Sequence, residues 1–199
     1  MGLIVEILGL VIFLGAHVFV SMRDERAALI SKVGIGPYRG LFSLVSIVGI
    51  ALICYGFAKY RAAGLIPVWY PPLWTHHIVE ALMWPASIMV AAAYIPGNIK
   101  RGLKHPMLAG VKTWAFAHLC VNGDLGGIIL FGSVLAWAVY DRITLKRRSD
   151  PGALSVPDGG VKYDIIAVVV GTILYLALGF VFHPVVIGVP AFAAPGLGQ

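Results

Sequence analysis

The chain has 199 residues, of which 59% are apolar and 12% charged, and its mean hydropathy is +0.89. Soluble domains are nearer half apolar and a quarter charged, so this composition excludes a soluble globular protein and predicts an integral membrane protein. Cys54 and Cys120 both lie in apolar runs, which excludes a disulfide framework and a cysteine-based metal knuckle. The net charge of +6 forms no basic stripe between aromatics, which argues against a nucleic-acid partner.

Apolar segments predict an all-α, polytopic membrane bundle of about six transmembrane helices. The stretch 106–141 is apolar over 36 residues except at Lys112 and the Asn-Gly-Asp-containing segment 122–127. A single helix of that length would measure about 54 Å, which is too long for one crossing of about 30 Å. We therefore expect two helices there. The six predicted segments are about 3–22, 40–58, 73–95, 106–121, 125–141 and 163–187.

The distribution of Lys and Arg supports six crossings. With six helices and an outer amino terminus, the two sides carry 13 and 2 basic residues, whereas five crossings would give 8 and 7. The larger imbalance follows the positive-inside rule and predicts that both termini lie on the outer side. The outer side keeps only Lys59 and Arg61. The inner side receives Arg23, Arg26, Lys32, Arg39, Lys100, Arg101, Lys104, Lys112, Arg142, Lys146, Arg147, Arg148 and Lys162.

Histidines at membrane depth are the main candidates for a site, because ionisable side chains are costly there and usually mark function. His17 precedes Arg23 by six residues and His118 follows Lys112 by six. If both basic residues mark the inner interface, the two imidazoles lie about 9 Å deeper, at matched depth. Such a pair is suited to the axial positions of a haem iron. In the alternative interpretation, His118 only hydrogen-bonds a neighbouring helix.

The surroundings of His118 extend this hypothesis. Trp114, His118 and Asn122 follow an i, i+4, i+8 pattern that would supply a stacking ring and a hydrogen-bond partner to a cofactor. The predicted partner of His17 depends on where the helix that carries His118 begins. If the helix begins at His105, His118 lies about 20 Å further along it, and His105 becomes the better partner for His17.

A second polar cluster is predicted on the outer side, where His76, His77 and Glu80 begin the third predicted helix and His183 lies late in the last. His76 and Glu80 are four residues apart and so share a helix face that suits a metal or a proton. Interfacial histidines need no ligand, and a Glu in a first helical turn is expected from the macrodipole. The structural interpretation is therefore favoured. No phosphate-binding loop, HExxH zinc motif or serine elbow is present in the sequence.

Several long segments resemble the NnrU family of bacterial membrane proteins. They are FLGAHVF, GPYRGLFSLVS, AAYIPGNIKRGLKHP and HPMLAGVKTWAFAHLCVNGDLGGIILFGSVLAWAVYDRITLKRR. The resemblance runs in order over about residues 1–148, and FHP at 182–184 is consistent with it. It implies one NnrU-type domain over 1–199 in the bacterial inner membrane. It also implies a role in support of nitrite and nitric oxide reductases in denitrification, with nitric-oxide-related redox proteins as partners.

The NnrU domain is shared with plant zeta-carotene isomerase, which uses haem b to isomerise a polyene. That similarity implies haem b on His118, with His17 as the amino-terminal ligand. The isomerase has a cysteine one turn before the histidine, implicated in exchanging the haem ligand, where this chain has Ala115. The absence of this cysteine weakens the hypothesis that the protein isomerises a hydrophobic polyene. It does not affect the implied binding of haem. A third hypothesis is a haem-free assembly factor.

Overall fold

A computed structural model describes residues 1–147 and 159–192, and every regular element in this part of the chain is helical, as predicted. An isolated bridge between Pro67 and Asp124 is the only strand-like pairing within these ranges. The helices are α1 (Gly2–Ser21), α2 (Arg23–Val33), α3 (Ile35–Ala62), α4 (Thr75–Ala92), α5 (Asn98–Leu103), α6 (Pro106–Leu119), α7 (Leu125–Arg147) and α8 (Gly160–Ala177). The chain continues from α8 as a π-helical segment, Leu178–Ile187.

Among the described residues, four helical segments are long and apolar enough to cross a membrane: Gly2–Ser21, Ile35–Ala62, Leu125–Arg147 and Gly160–Ile187. The predicted segments 73–95 and 106–121 are helical too, but α4 has 18 residues and α6 has 14. At 1.5 Å per residue α6 is about 21 Å long. The protein is thus an all-helical membrane protein in which two of the predicted segments form shorter helices.

Two helices were not predicted, because the sequence was searched for long apolar runs. The α2 helix is charged, with Asp24 and Glu25 in its first turn and Lys32 in its last. These signs match the helix dipole, which favours acidic residues at the start and basic residues at the end. The α5 helix has only six residues. Both therefore form from local charge and tertiary contacts rather than from membrane-type hydrophobicity.

The described chain divides into two units. The amino-terminal unit comprises Met1–Tyr70 and Asn122–Arg147, and so contains α1, α2, α3 and α7. The carboxy-terminal unit comprises Pro71–Val121 and the described residues 159–192, and so contains α4, α5, α6, α8 and the π-helical segment. Each candidate histidine belongs to one of these units.

In the amino-terminal unit, α1 and α3 pack backbone against backbone through glycines. A Cβ on Gly9 would lie 2.6 Å from the amide nitrogen of Ile53, and a Cβ on Gly49 would lie 2.8 Å from the Cβ of Phe13. Small residues allow this close approach between membrane helices, where packing replaces the hydrophobic effect. The α1–α3 pair is therefore held at a separation that larger side chains would prevent.

The break before α7 is fixed by polar backbone contacts, and its prediction at 122–127 agrees with the helix start at Leu125. The Gly127 amide donates to Asp124 Oδ1 at 2.9 Å, which satisfies an amide of the first turn of α7. The carbonyl of Gly123 accepts from the amides of Val68 and Trp69 at 2.8 and 3.0 Å. The turn is thus joined to the segment that follows α3.

In the carboxy-terminal unit, α4 contacts both α6 and α8 through small residues. A Cβ on Gly110 would lie 2.9 Å from the carbonyl oxygen of Ala86, and Ala86, Ala115 and Ala167 are nearly or fully buried. A carboxylate adds a polar link, since Asp164 accepts from Asn98 Nδ2 at 2.7 Å and from the Ile99 amide at 2.9 Å. Asp164 on α8 therefore caps the start of α5.

Candidate functional site

His17, on α1 in the amino-terminal unit, is oriented by its own helix. Its Nδ1 lies 2.7 Å from the carbonyl oxygen of Phe13, so the Nδ1–H donates and Nε2 keeps the acceptor lone pair. Three aromatic rings surround it, with centroids 4.2 Å (Phe13), 5.2 Å (Phe42) and 5.4 Å (Trp137) from the imidazole centroid. The Trp137 indole nitrogen is buried and has no hydrogen-bond partner among the described residues.

His118, on α6 in the carboxy-terminal unit, repeats this arrangement. Its Nδ1 lies 2.9 Å from the carbonyl oxygen of Trp114, and the two rings are 5.1 Å apart. The flanking residues Ala115 and Ala117 are fully buried. The bond selects the Nδ1–H tautomer, so Nε2 is the nitrogen with the lone pair that a metal requires.

Metal-binding histidines in proteins almost always donate their second ring N–H to a carbonyl or carboxylate, which fixes the tautomer and the ring direction. His17 and His118 both have this bond, to the carbonyl four residues earlier, and both have an aromatic ring at that earlier position. The two histidines chosen from the sequence therefore share a ligand-like local geometry.

His105 and Asn122 lie outside α6, the helix that carries Trp114 and His118. His105 is the residue that precedes α6, and His118 lies near the other end of that helix. Thirteen residues of helix separate them by about 20 Å. Asn122 follows the end of α6 at Leu119 and precedes the start of α7 at Leu125.

His183 was placed by sequence reasoning in the outer cluster, and the structure instead records it beside His118. The two ring centroids are 6.1 Å apart and the ring planes are inclined by 36°. His183 lies in the π-helical segment, directly before Pro184. Periodicity based on an α-helix cannot predict the direction of a side chain in π-helical backbone.

In the predicted outer cluster, His77 and Glu80 lie at ion-pair distance. His77 Nδ1 lies 3.8 Å from Glu80 Oε2, and His76 and His77 are both exposed. An open groove of about 520 Å³ adjoins this pair; it is lined by His77, Glu80, Ala81, Trp84, Thr172, Tyr175 and Leu176. Within the described residues, no group of three or more His, Cys, Asp or Glu side chains is placed to hold a metal ion. The cluster therefore shows no metal-site geometry.

Glu6 is a buried polar residue whose environment sequence reasoning did not predict. Its side chain is 0% exposed, and neither carboxyl oxygen has a hydrogen-bond partner among the described residues. It lies against the backbone of Gly56 at the α1–α3 contact. The sequence of α1 shows only that an acidic residue lies in an apolar helix. It does not show that Glu6 is buried, because that burial depends on Gly56 of α3.

The long apolar helices describe a helical membrane protein, and the family comparison agrees with that class. The family model described as NnrU protein matches residues 5–191. The chain therefore belongs to the NnrU family, which confirms the resemblance read from its motifs. No curated protein and no solved structure matches the chain.

Proposed function

We propose that this NnrU-family membrane protein binds haem b, with His118 as an axial ligand of the iron. The observation that carries the proposal is the bond from His118 Nδ1–H to the Trp114 carbonyl, which makes Nε2 the unprotonated nitrogen of the neutral ring. The Trp114 ring lies beside the imidazole, and Ala115 and Ala117 next to it are fully buried, so the surroundings of His118 are apolar. Haem iron is bound by one or two such imidazole donors in apolar surroundings.

A second imidazole is one way to complete the coordination of a haem iron. The sequence-based hypothesis assigns that role to His17, whose Nδ1 makes the matching bond to the Phe13 carbonyl, but our proposal is confined to His118. His105 is the sequence-based alternative to His118 as the partner of His17. His105 and His118 lie about 20 Å apart along α6, so they cannot both bind the same iron.

The bound haem would supply one-electron redox chemistry or a site for a small diatomic ligand. With such chemistry, we propose, the protein supports nitrite and nitric oxide reductase function in denitrification, as the family implies. The buried Ala115 gives the chain no thiol at the position where the polyene isomerase has one, so no feature of this site favours isomerisation.

We also propose six crossings of the bacterial inner membrane with both termini outside. The support is the presence of a helix in each of the six predicted segments together with the 13 to 2 division of basic residues. Labelling of single introduced cysteines in intact cells tests it. Reagents that do not cross the membrane should reach a cysteine placed at Gly64 and fail to reach one placed at Gly102.

The cofactor is tested by purifying the full chain in detergent and recording reduced-minus-oxidised visible spectra, with haem typed as its pyridine complex. The wild type should show the bands of haem b, and His118→Ala should lose them. His76→Ala, which removes an exposed histidine, is the matched control and should keep the wild-type spectrum. A colourless wild type, or bands that persist in the double variant His17→Ala, His118→Ala, contradicts the proposal and favours the haem-free assembly factor.

A further inference from the structure

We propose that the carboxyl group of Glu6 is a proton-binding site that couples the packing of α1 against α3 to pH. The proposal concerns the amino-terminal unit and does not depend on haem binding. It is motivated by a side chain that is 0% exposed and whose two carboxyl oxygens have no hydrogen-bond partner within residues 1–147 and 159–192. An acidic group in such a place has to be neutralised by a cation, by hydrogen bonds or by a proton.

The burial of Glu6 comes from the close approach of α1 and α3. A Cβ on Gly56 would lie 2.7 Å from the Cα of Glu6, and a Cβ on Gly2 would lie 2.8 Å from the carbonyl oxygen of Gly56. The two backbones are therefore in contact at Glu6 and one turn before it. Because protein atoms cover the side chain, neither water nor lipid reaches the carboxyl group while α1 and α3 are packed.

The last turn of α3 carries the titratable side chains Lys59, Tyr60 and Arg61. The phenol oxygen of Tyr60 accepts a hydrogen bond from the Ile66 amide at 2.9 Å. The Lys59 ammonium lies over a tyrosine ring of the same helix, 5.7 Å from its centroid. Since the Glu6 oxygens have no hydrogen-bond partner in the described chain, α3 contributes no hydrogen-bonded cation to the carboxyl group.

The start of α7 provides an acidic neighbour instead of a cation. Asp124, in the turn before α7, is a residue whose charge acts on the Glu6 carboxyl, and a nearby carboxylate opposes a second negative charge. The amino group of the chain belongs to Met1, which is exposed. The start of α2 and the end of α7 lie near Ser21, which donates to Asp141 at 2.9 Å, about 22 Å along α1 from Glu6.

An ionised Glu6 would therefore have neither water nor a partner, and its charge would be opposed by a second acidic group. Carboxyl groups in such surroundings bind a proton and stay neutral. In the unfolded chain the same carboxyl is in contact with solvent and ionises at neutral pH. The folded protein thus binds one more proton than the unfolded chain, and the contribution of this site to stability should fall as the pH rises.

The test compares the wild type with Glu6→Gln, which keeps the shape of the protonated side chain and cannot ionise. Both full chains are purified in detergent and unfolded from about pH 5 to about pH 9. The folding equilibrium constant of Glu6→Gln relative to that of the wild type should rise about tenfold for each pH unit over the range in which only the unfolded chain is ionised. Glu25→Gln, at an exposed acidic residue of α2, is the matched control and should follow the wild type.

Infrared spectroscopy reports the bound proton directly. The wild type at neutral pH should show the carbonyl band of a protonated carboxylic acid, and Glu6→Gln should lose it. Absence of this band from the wild type, its persistence in Glu6→Gln, or parallel pH profiles for the two proteins overturns the proposal. Should Glu6→Gln not accumulate, Glu6→Met takes its place, because its side chain has a similar length and no charge, and the same loss of the band and the same relative pH profile are expected.

Discussion

The two units present the same histidine motif in different surroundings. In both, an imidazole donates through Nδ1 to the carbonyl four residues earlier, beside an aromatic ring. Phe13, Phe42 and Trp137 lie around His17 in the amino-terminal unit, whereas the Trp114 ring and the His183 imidazole lie beside His118 in the carboxy-terminal unit. The bond to its own helix is therefore common to both histidines, and the side chains around each ring distinguish them.

The units also differ in their polar links. Glycines bring helix backbones close together in both units: Gly9 and Gly49 between α1 and α3, Gly110 between α6 and α4, and Gly171 between α8 and α4. The carboxy-terminal unit adds a carboxylate cap and a side-chain hydrogen bond between helices. Polar links can be broken one at a time, whereas a larger side chain at a glycine contact separates two helices, so glycine substitutions should be the most disruptive.

The largest expected effect on stability comes from Gly9→Leu at the α1–α3 contact. Since even a Cβ at Gly9 would lie 2.6 Å from the Ile53 amide nitrogen, the helices must separate, at a cost of about 3 kcal/mol or more. Gly15→Leu is the matched control on the same helix, because a Cβ there meets no atom within 4 Å. Thermal unfolding in detergent should show a large fall in midpoint for Gly9→Leu only. Equal midpoints would contradict the close packing.

A smaller loss is expected from Asp164→Ala in the carboxy-terminal unit. The change removes the acceptor for Asn98 Nδ2 and for the Ile99 amide, and hydrogen bonds to a charged group contribute about 1.5–3 kcal/mol. Asp164→Asn keeps one carbonyl acceptor and should recover part of the loss. Hydrogen exchange at α5 is the direct measurement. Protection of α5 that is unchanged in Asp164→Ala would show that the cap is not stabilising.

His17→Ala sharpens the comparison between the two histidines. It removes a ring packed against Phe13, Phe42 and Trp137, and ring contacts of this kind contribute about 0.5–1.5 kcal/mol beyond area burial. We expect a modest fall in unfolding midpoint with an unchanged visible spectrum. His17→Phe, which keeps an aromatic ring, should recover much of the stability. A fall in haem content in both variants would instead place His17 at the iron.

The smallest effect is expected from Thr172→Val. Trp84 Nε1 donates to Thr172 Oγ1 at 3.0 Å, and this pair is exposed. Hydrogen bonds between membrane helices average about 0.6 kcal/mol, so the midpoint should move only slightly. Trp84→Phe removes the donor of the same hydrogen bond. The double variant should therefore lose no more stability than the sum of the losses in the two single variants. A loss above about 2 kcal/mol would mean that the link between α4 and α8 matters more than its exposure suggests.

The positions of the long helices were predictable because apolar runs and the Gly-Asp break are local signals. Asp124 indeed caps the turn that begins α7. The charged helix α2 was missed since it carries no apolar run, and α6 is two residues shorter than predicted because Cys120 and Val121 belong to the turn. Side-chain identity and local spacing were therefore sufficient to predict where the long apolar segments lie. They were not sufficient to predict the lengths of the shorter helices.

Within the candidate site, the sequence pointed to His17 and His118, and in the structure each imidazole donates to the carbonyl four residues earlier. It could not predict that His183 lies beside His118, because that neighbour depends on the packing of the last helix and on its π-helical winding. The burial of Glu6 was missed for a similar reason, since it requires Gly56 on a different helix. Contacts between distant segments are tertiary properties that periodicity in one segment does not contain.

The central claim is that the carboxy-terminal unit carries the haem-binding imidazole, and the most direct test is the amount of haem per chain in purified His118→Ala and His17→Ala. Both are compared with the wild type, by pyridine haemochrome absorbance against protein concentration. Our account predicts haem retained in His17→Ala and at least a tenfold loss in His118→Ala, since even the loss of a group that only hydrogen-bonds a metal ligand costs about 10–100-fold in affinity. Full haem occupancy in His118→Ala would contradict it.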